Sequence, residues 1–204
     1  MNAMGERRQA RRSIRLKGYD YRLAGGYFVT ICVRNGECVL GEIIDDEMVF
    51  NSFGQMVDGE WRKGEEIREH VLLDVYQVMP NHFHGIVFLL NELEHGPKRI
   101  EHGSAWAKHA SPLRNVEPEL GPFKGPKSGS LSAVIRGFKS ASTRRINKGR
   151  GISGVSMWQR NYWERIIRNE RELEAIRRYI LANPANWRKD DLYPGSSRSR
   201  RRLG

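Results

Sequence analysis

The strongest constraint on how this chain folds is a pair of apolar runs separated by only two residues. Residues 71–79 read VLLDVYQVM and residues 82–90 read HFHGIVFLL, with Pro80-Asn81 between them. Both runs are rich in β-branched and aromatic residues, and Pro80-Asn81 marks a tight turn, so the spacing predicts an antiparallel hairpin. A third run, 27–33 (YFVTICV), follows Gly25-Gly26 and predicts another buried strand. A shorter strand is expected at 48–50. Asn51 or Ser52 then offers an N-cap for a helix reaching about residue 69, with Phe53, Met56, Val57 and Trp61 on one face. Ser130 or Ser132 caps a second helix to about residue 148, with Val134, Phe138 and Ile146 inward. Residues 157–167 (MWQRNYWERII) read as a strand. Residues 170–182 (ERELEAIRRYILA) read as a strong helix that stops at Asn183-Pro184, because proline disfavours the α region in the residue before it. Strands and helices interleaved around a hairpin predict an α+β sandwich, one antiparallel sheet with helices on one face.

The remaining segments differ in character. Residues 1–22 form a basic N-terminal arm, and residues 188–204 a basic C-terminal tail carrying Arg198, Arg200, Arg201 and Arg202. Residues 91–129 hold five of the eight prolines without periodicity and read as a flexible insert in a domain spanning 23–187. Apolar residues, 39% of the chain, suffice for one core, but the mean hydropathy is −0.63 and the longest apolar run covers only residues 85–90. A membrane span is therefore not expected. The polar, basic start shows no apolar secretory region, and Cys32 and Cys38 are the only cysteines, so a reducing cytoplasm is expected.

Lys and Arg number 35 against 24 Asp and Glu, a formal charge of +11. Such an excess is the footprint of a polyanion binder. The charge is also segregated: residues 131–153 carry Arg136, Lys139, Arg144, Arg145, Lys148 and Arg150 and no acid, while acids gather in 42–69 and 164–174.

Within the hairpin, His82 and His84 are two apart on a strand and project from the same face, while Phe83 enters the opposite layer. Two imidazoles at that spacing can share a divalent metal, and can equally be surface or hydrogen-bonded core residues. No Cys-x-x-Cys or His-Glu-x-x-His accompanies them, which argues against a structural zinc site or a zincin. Tyr179 and Asn183 are four apart on the last helix and face the same way, with Leu173, Ile176 and Ile180 as the buried stripe beside them. A tyrosine at that edge is either a reactive hydroxyl or a boundary anchor. Tyr162, Tyr76 and Tyr27 compete for the first role.

Four motifs in order carry a resemblance: residues 76–87 (YQVMPNHFHGIV), 138–140 (FKS), 158–168 (WQRNYWERIIR) and 179–184 (YILANP). Together they resemble the single-tyrosine transposases of the HUH endonuclease superfamily, most closely the REP-associated tyrosine transposases, over roughly residues 21–187. The resemblance implies a ferredoxin-like β-α-β-β-α-β core and a metal-dependent endonuclease and strand transferase for single-stranded, hairpin or palindromic DNA. His82 and His84 would be the metal-binding pair, Tyr179 the nucleophile that forms a 5′-phosphotyrosine, and Asn183 a third ligand to Mg²⁺ or Mn²⁺. Arg136, Lys139, Arg144, Arg145, Lys148 and Arg160 are the expected DNA contacts. The protein would be a monomer or homodimer, cytoplasmic and nucleoid-associated. One departure stands out: Arg165 lies where relatives often have histidine, which leaves a domesticated, non-cleaving DNA-binding protein as the alternative. An RNA-binding ferredoxin-like protein ranks last, because it needs neither the histidines nor a helix-borne tyrosine.

Overall fold

The computed structural model describes residues 20–90 and 129–196. The expected N-terminal arm up to residue 19, the insert at 91–128 and residues 197–204 of the expected tail lie outside the described residues. The elements, in chain order, are β1 (Gly25–Cys32), β2 (Gly41–Ile44), β3 (Glu47–Phe50), α1 (Ser52–Glu66), β4 (Val71–Met79), β5 (His82–Leu89), α2 (Leu131–Gly149), β6 (Trp163–Ile167) and α3 (Glu170–Leu181). Single 3₁₀ turns occur at Arg34–Gly36 and Trp187–Lys189.

Strands β4, β5, β1 and β6 lie side by side in that order, all neighbours antiparallel. With α1 and α2 as the crossovers, this is the expected ferredoxin-like β-α-β-β-α-β arrangement. The predicted hairpin is present, and its turn is held from outside. Leu40 N donates to the Pro80 carbonyl at 3.1 Å and Val33 N to the Asn81 carbonyl at 2.8 Å. Both predicted helix starts are capped by side chains: Asn51 Oδ1 accepts from Phe53 N and Gly54 N, and Ser130 Oγ from Ala133 N.

One local expectation is met and extended, and another changes. The strand at 48–50 is the second arm of a small hairpin, β2–β3, turning at Asp45 and Asp46, which both adopt positive φ, 49° and 63°. Two positive-φ residues in a row make the tight reversal that matches strand twist, more often built with Asn-Gly than Asp-Asp. The strand expected over 157–167 is shorter, Trp163–Ile167, preceded by an isolated bridge between Trp158 and Val33. Lys139 Nζ donates to the carbonyls of Gln159, Arg160 (3.1 Å) and Asn161 (3.4 Å), so those carbonyls serve an ammonium rather than a sheet ladder.

The sheet is buried on both faces. On one, Tyr27, Val29, Ile31, Val78, Phe83 and Val87 pack against Val57 and Trp61 of α1 and Val134, Ile135 and Phe138 of α2. The Trp61 ring lies 4.4 Å from Phe83 and 5.0 Å from Phe138, centroid to centroid. On the other face, Ile86, Phe88 and Ile167 pack against Leu173, Ile176 and Ile180 of α3. The expectation of helices on one face thus holds for the two crossover helices, and α3 covers the opposite side. An irregularity in β4 between Leu73 and Tyr76 resets the alternation, so both residues reach the α1 side while Leu72 and Val75 face α3.

Gly85 shows how tight the α1 side is. A Cβ there would lie 2.8 Å from Trp61 Cζ2 and 2.8 Å from Phe83 Cε1, both in buried rings. Gly85→Ala is therefore expected to destabilise the fold by about 1–3 kcal/mol, read as a lower urea midpoint at unchanged slope. An unchanged midpoint would show that the layer has slack.

Candidate active site

Antiparallel pairing places the two histidines and their supports. His84 pairs with Thr30 of β1 and His82 with Cys32, so both imidazoles stand on the α3 side, next to each other. Both are fully buried. Their Nε2 atoms are 3.0 Å apart, which is the separation of two nitrogens each about 2.1 Å from a shared ion at a right angle.

The outer nitrogens fix the rings. His82 Nδ1 is 2.8 Å from Asn81 Oδ1. The Asn81 amide is oriented by its other end, since Nδ2 donates to the carbonyls of Gly36 at 3.1 Å and Leu192 at 2.8 Å. Asn81 Oδ1 can only accept, so His82 carries its proton on Nδ1 and turns the Nε2 lone pair inward. His84 Nδ1 is 2.8 Å from Thr30 Oγ1, a hydroxyl able to accept from it in the same way. Burial pushes His82 down to about 3, against a smaller upward pull from the Asn183 side chain. Burial, then the neighbouring His82, holds His84 well below the usual histidine range. Both rings are therefore neutral near pH 7, the form that binds a metal.

Helix α3 supplies the other groups. Its N-cap, Asn169, accepts from Glu172 N at 2.9 Å, and Glu172 in turn accepts from Arg168 N at 2.9 Å. Arg165 pairs with that same Glu172 at 2.6 Å and so braces the start of the helix. Arg177 fastens the middle of α3 to β4 through Asp74, with Nη2–Oδ2 at 2.6 Å and Nε–Oδ2 at 3.0 Å. Held this way, α3 brings the Tyr179 hydroxyl to 3.4 Å from His84 Nε2, with the ring edge-on to Phe28 at 6.0 Å. Half of Tyr179 is exposed. Burial of the remainder, then the Asp190 carboxylate, pushes its hydroxyl up to about 12, with Asn183 pulling the other way.

The expected third ligand, Asn183, is buried at the same spot, and its Oδ1 has no hydrogen-bond partner among the described residues. Its Nδ2 donates to Asp190 Oδ2 at 3.2 Å. Asp190 is the group that sequence reasoning missed. Its Oδ2 lies 3.9 Å from His82 Nε2, and His82, His84 and Asp190 each offer a ligand atom within 4.8 Å of the others. Two inward lone pairs, a carboxylate and an orphaned buried amide oxygen fit a divalent cation. Asp190 follows Trp187–Lys189 in the segment expected to be a basic tail, and the Asn81 amide ties that segment beside the histidines through the Leu192 carbonyl. A cleft of about 440 Å³ opens over the site, lined among others by Tyr179, Asn183, Asn186, Lys189 and Trp163.

The expected DNA contacts fall on the other side of the sheet and divide. Arg136, Arg144 and Lys148 are exposed at intervals of eight and four along α2, and Arg160 is exposed before β6. Arg145, also exposed, pairs with Glu60 of α1 at 3.0 Å, and Lys139 is turned into the Gln159–Asn161 carbonyls. Of the competing tyrosines, Tyr76 bonds Asp58 at 2.7 Å, Tyr27 bonds the Leu23 carbonyl at 2.7 Å, and Tyr162 packs against the α1-side core, all away from the histidines. No helix among the described residues is long and apolar enough to cross a membrane.

Comparison with known proteins agrees with this architecture. No protein-family model matches the chain. Among solved structures, a REP-associated tyrosine transposase bound to a REP hairpin is similar with a TM-score of 0.50 and 19% identity, over 83% of this chain and 72% of that one. A putative transposase from Deinococcus radiodurans is similar with a TM-score of 0.37 and 14% identity, over 82% of this chain and 95% of that one. The chain thus has the fold of the REP-associated tyrosine transposases. It belongs to the same family as an uncharacterized protein of Haemophilus influenzae (strain ATCC 51907 / DSM 11121 / KW20 / Rd), which is 38% identical over 183 residues, 90% of this chain and 93% of that protein.

The donor set predicts metal binding separable from activity. In calorimetric titration with Mn²⁺, Asp190→Asn and Thr30→Val are each expected to weaken binding by about 10- to 100-fold, the first through a lost charge and the second through a freed imidazole. Wild-type affinity in both variants would remove Asp190 and Thr30 from the site.

Proposed function

We propose that the chain is a metal-dependent endonuclease and strand transferase for single-stranded DNA at hairpins or palindromes, a transposase of the HUH type. The observation that carries this reading is the meeting of Tyr179 with the histidine pair, its hydroxyl 3.4 Å from the His84 nitrogen that faces His82. A phenol beside a buried two-histidine, one-carboxylate cluster is arranged for attack on a phosphodiester. The fold shared with a transposase bound to a REP hairpin supports a hairpin as the form of DNA.

Tyr179 Oη attacks the phosphorus, the bond from phosphorus to the 3′-oxygen breaks, and a 5′-phosphotyrosine and a 3′-hydroxyl result. The phenolic proton is released to solvent in the cleft, and the departing 3′-oxygen takes up a proton from solvent. Because one phosphoester replaces another, a 3′-hydroxyl can attack the phosphotyrosine and rejoin strands without an added energy source. With its hydroxyl pushed up to about 12, Tyr179 rests protonated. Mg²⁺ or Mn²⁺ held by His82, His84 and Asp190, with Asn183 beside them, would supply positive charge that draws in the phosphate and favours the phenolate. Thr30 and Asn81 keep the imidazoles aimed, and α3 sets the tyrosine's approach.

Tyr179→Phe keeps the ring packing and deletes the hydroxyl, so it should fold and bind hairpin DNA but form no covalent adduct with Mn²⁺ present. Tyr162→Phe should form it normally, and the His82/His84 double alanine variant, or EDTA, should abolish it. An adduct peptide mapped to any tyrosine other than Tyr179 would move the nucleophile.

Phosphate contacts from α2 lie apart from the reacting atoms and act through charge. Replacing Arg136, Arg144 and Lys148 together with alanine should lower affinity and flatten the log–log salt dependence by up to about three units. The adduct should still map to Tyr179. An unaltered salt slope would remove α2 from the DNA interface.

A further inference from the structure

We infer that Trp163 is a stacking platform for one unpaired nucleobase next to the phosphate attacked by Tyr179. The reading rests on the DNA function proposed above. On the α3 side of the sheet, His84, Thr30 and Trp163 are successive cross-strand partners in β5, β1 and β6. Trp163 is therefore two strand spacings, roughly 10 Å, from the histidine, on the same face and in the same row. The buried stripe of α3 covers Ile86, Phe88 and Ile167, while Trp163 is 45% exposed and lines the cleft.

A large exposed ring shares that cleft with polar groups, the exposed Lys189 and the amide of Asn186. A cation site, an ammonium and an indole within one cleft offer attachment for a phosphodiester and for the flat ring it carries. Every base presents a π face, so the indole would grip whichever base follows the hairpin, with little preference for its identity. The flanking base would then be fixed, and with it the register of the phosphate beneath Tyr179.

The test uses the full chain and a fluorescent DNA hairpin with oligo-dT tails on both sides, intact or with one abasic position moved stepwise along the tails. Binding is measured in Mn²⁺ by anisotropy, with circular dichroism confirming that each variant is folded. Trp163→Ala should bind the intact probe roughly 5- to 100-fold more weakly, and Trp163→Phe should recover most of the loss. One abasic position near the hairpin should weaken the wild type and leave Trp163→Ala indifferent, the signature of a coupled pair. Wild-type affinity in Trp163→Ala, or equal losses in both proteins at every abasic position, overturns the platform. Adduct formation by the wild type, scored on the same samples, separately reads whether the site cleaves.

Discussion

Strand β5 is buried on both faces along its entire length, from His82 to Leu89, and the rest of the molecule follows from that double burial. Odd-numbered residues enter the layer with Trp61 and Phe138, and even-numbered ones the layer under α3. Apolar side chains satisfy both environments without further help. The two histidines do not, and each needs an outer hydrogen-bond acceptor, met by Asn81 and Thr30. Burying an imidazole without such a partner would cost about 1–3 kcal/mol. The supports that make the pair tolerable in the interior also aim its inner lone pairs at one point. Stability and chemistry are satisfied by the same two bonds.

The same burial sets the electrostatics. Neutral imidazoles leave the Asp190 carboxylate as the nearest charge, and it acts on Tyr179 in the direction that disfavours the phenolate. The cluster is thus negative overall and organised around a point that suits a cation. The basic surface of α2 lies across the sheet, and β1 and β5 stand between them. The basic helix surface and the donor cluster thus occupy separate layers of the molecule.

Much of this was legible in the sequence because its physics is local. Alternation placed His82 and His84 together, turn chemistry set the hairpin, side-chain caps at Asn51 and Ser130 fixed the helix starts, and four-residue spacing aligned Tyr179 with Asn183. What escaped notice depends on contacts distant in sequence. Asp190 sits in a stretch whose overall charge is basic, where Asp190-Asp191 is the acidic break. Thr30 acquires its role only through pairing with His84 across β1. Lys139 read as a solvated cation because charge alone does not reveal that three carbonyls wait for it. The side of the sheet chosen by α3 was equally hidden, since an apolar stripe states that a helix docks and not where.

The order in which the chain is made gives the position of α3 another meaning. Synthesis runs from the amino terminus, and the four sheet strands with both crossover helices precede α3. A nascent chain ending before residue 170 can close the α1–α2 layer, yet leaves Ile86, Phe88 and Ile167 open to water. It also holds the histidines without Tyr179, Asn183 or Asp190. Hydrophobic closure of the second layer and completion of the donor set both wait on the chain beyond residue 169. A polypeptide interrupted before that point exposes an apolar sheet face and lacks Tyr179, Asn183 and Asp190 altogether.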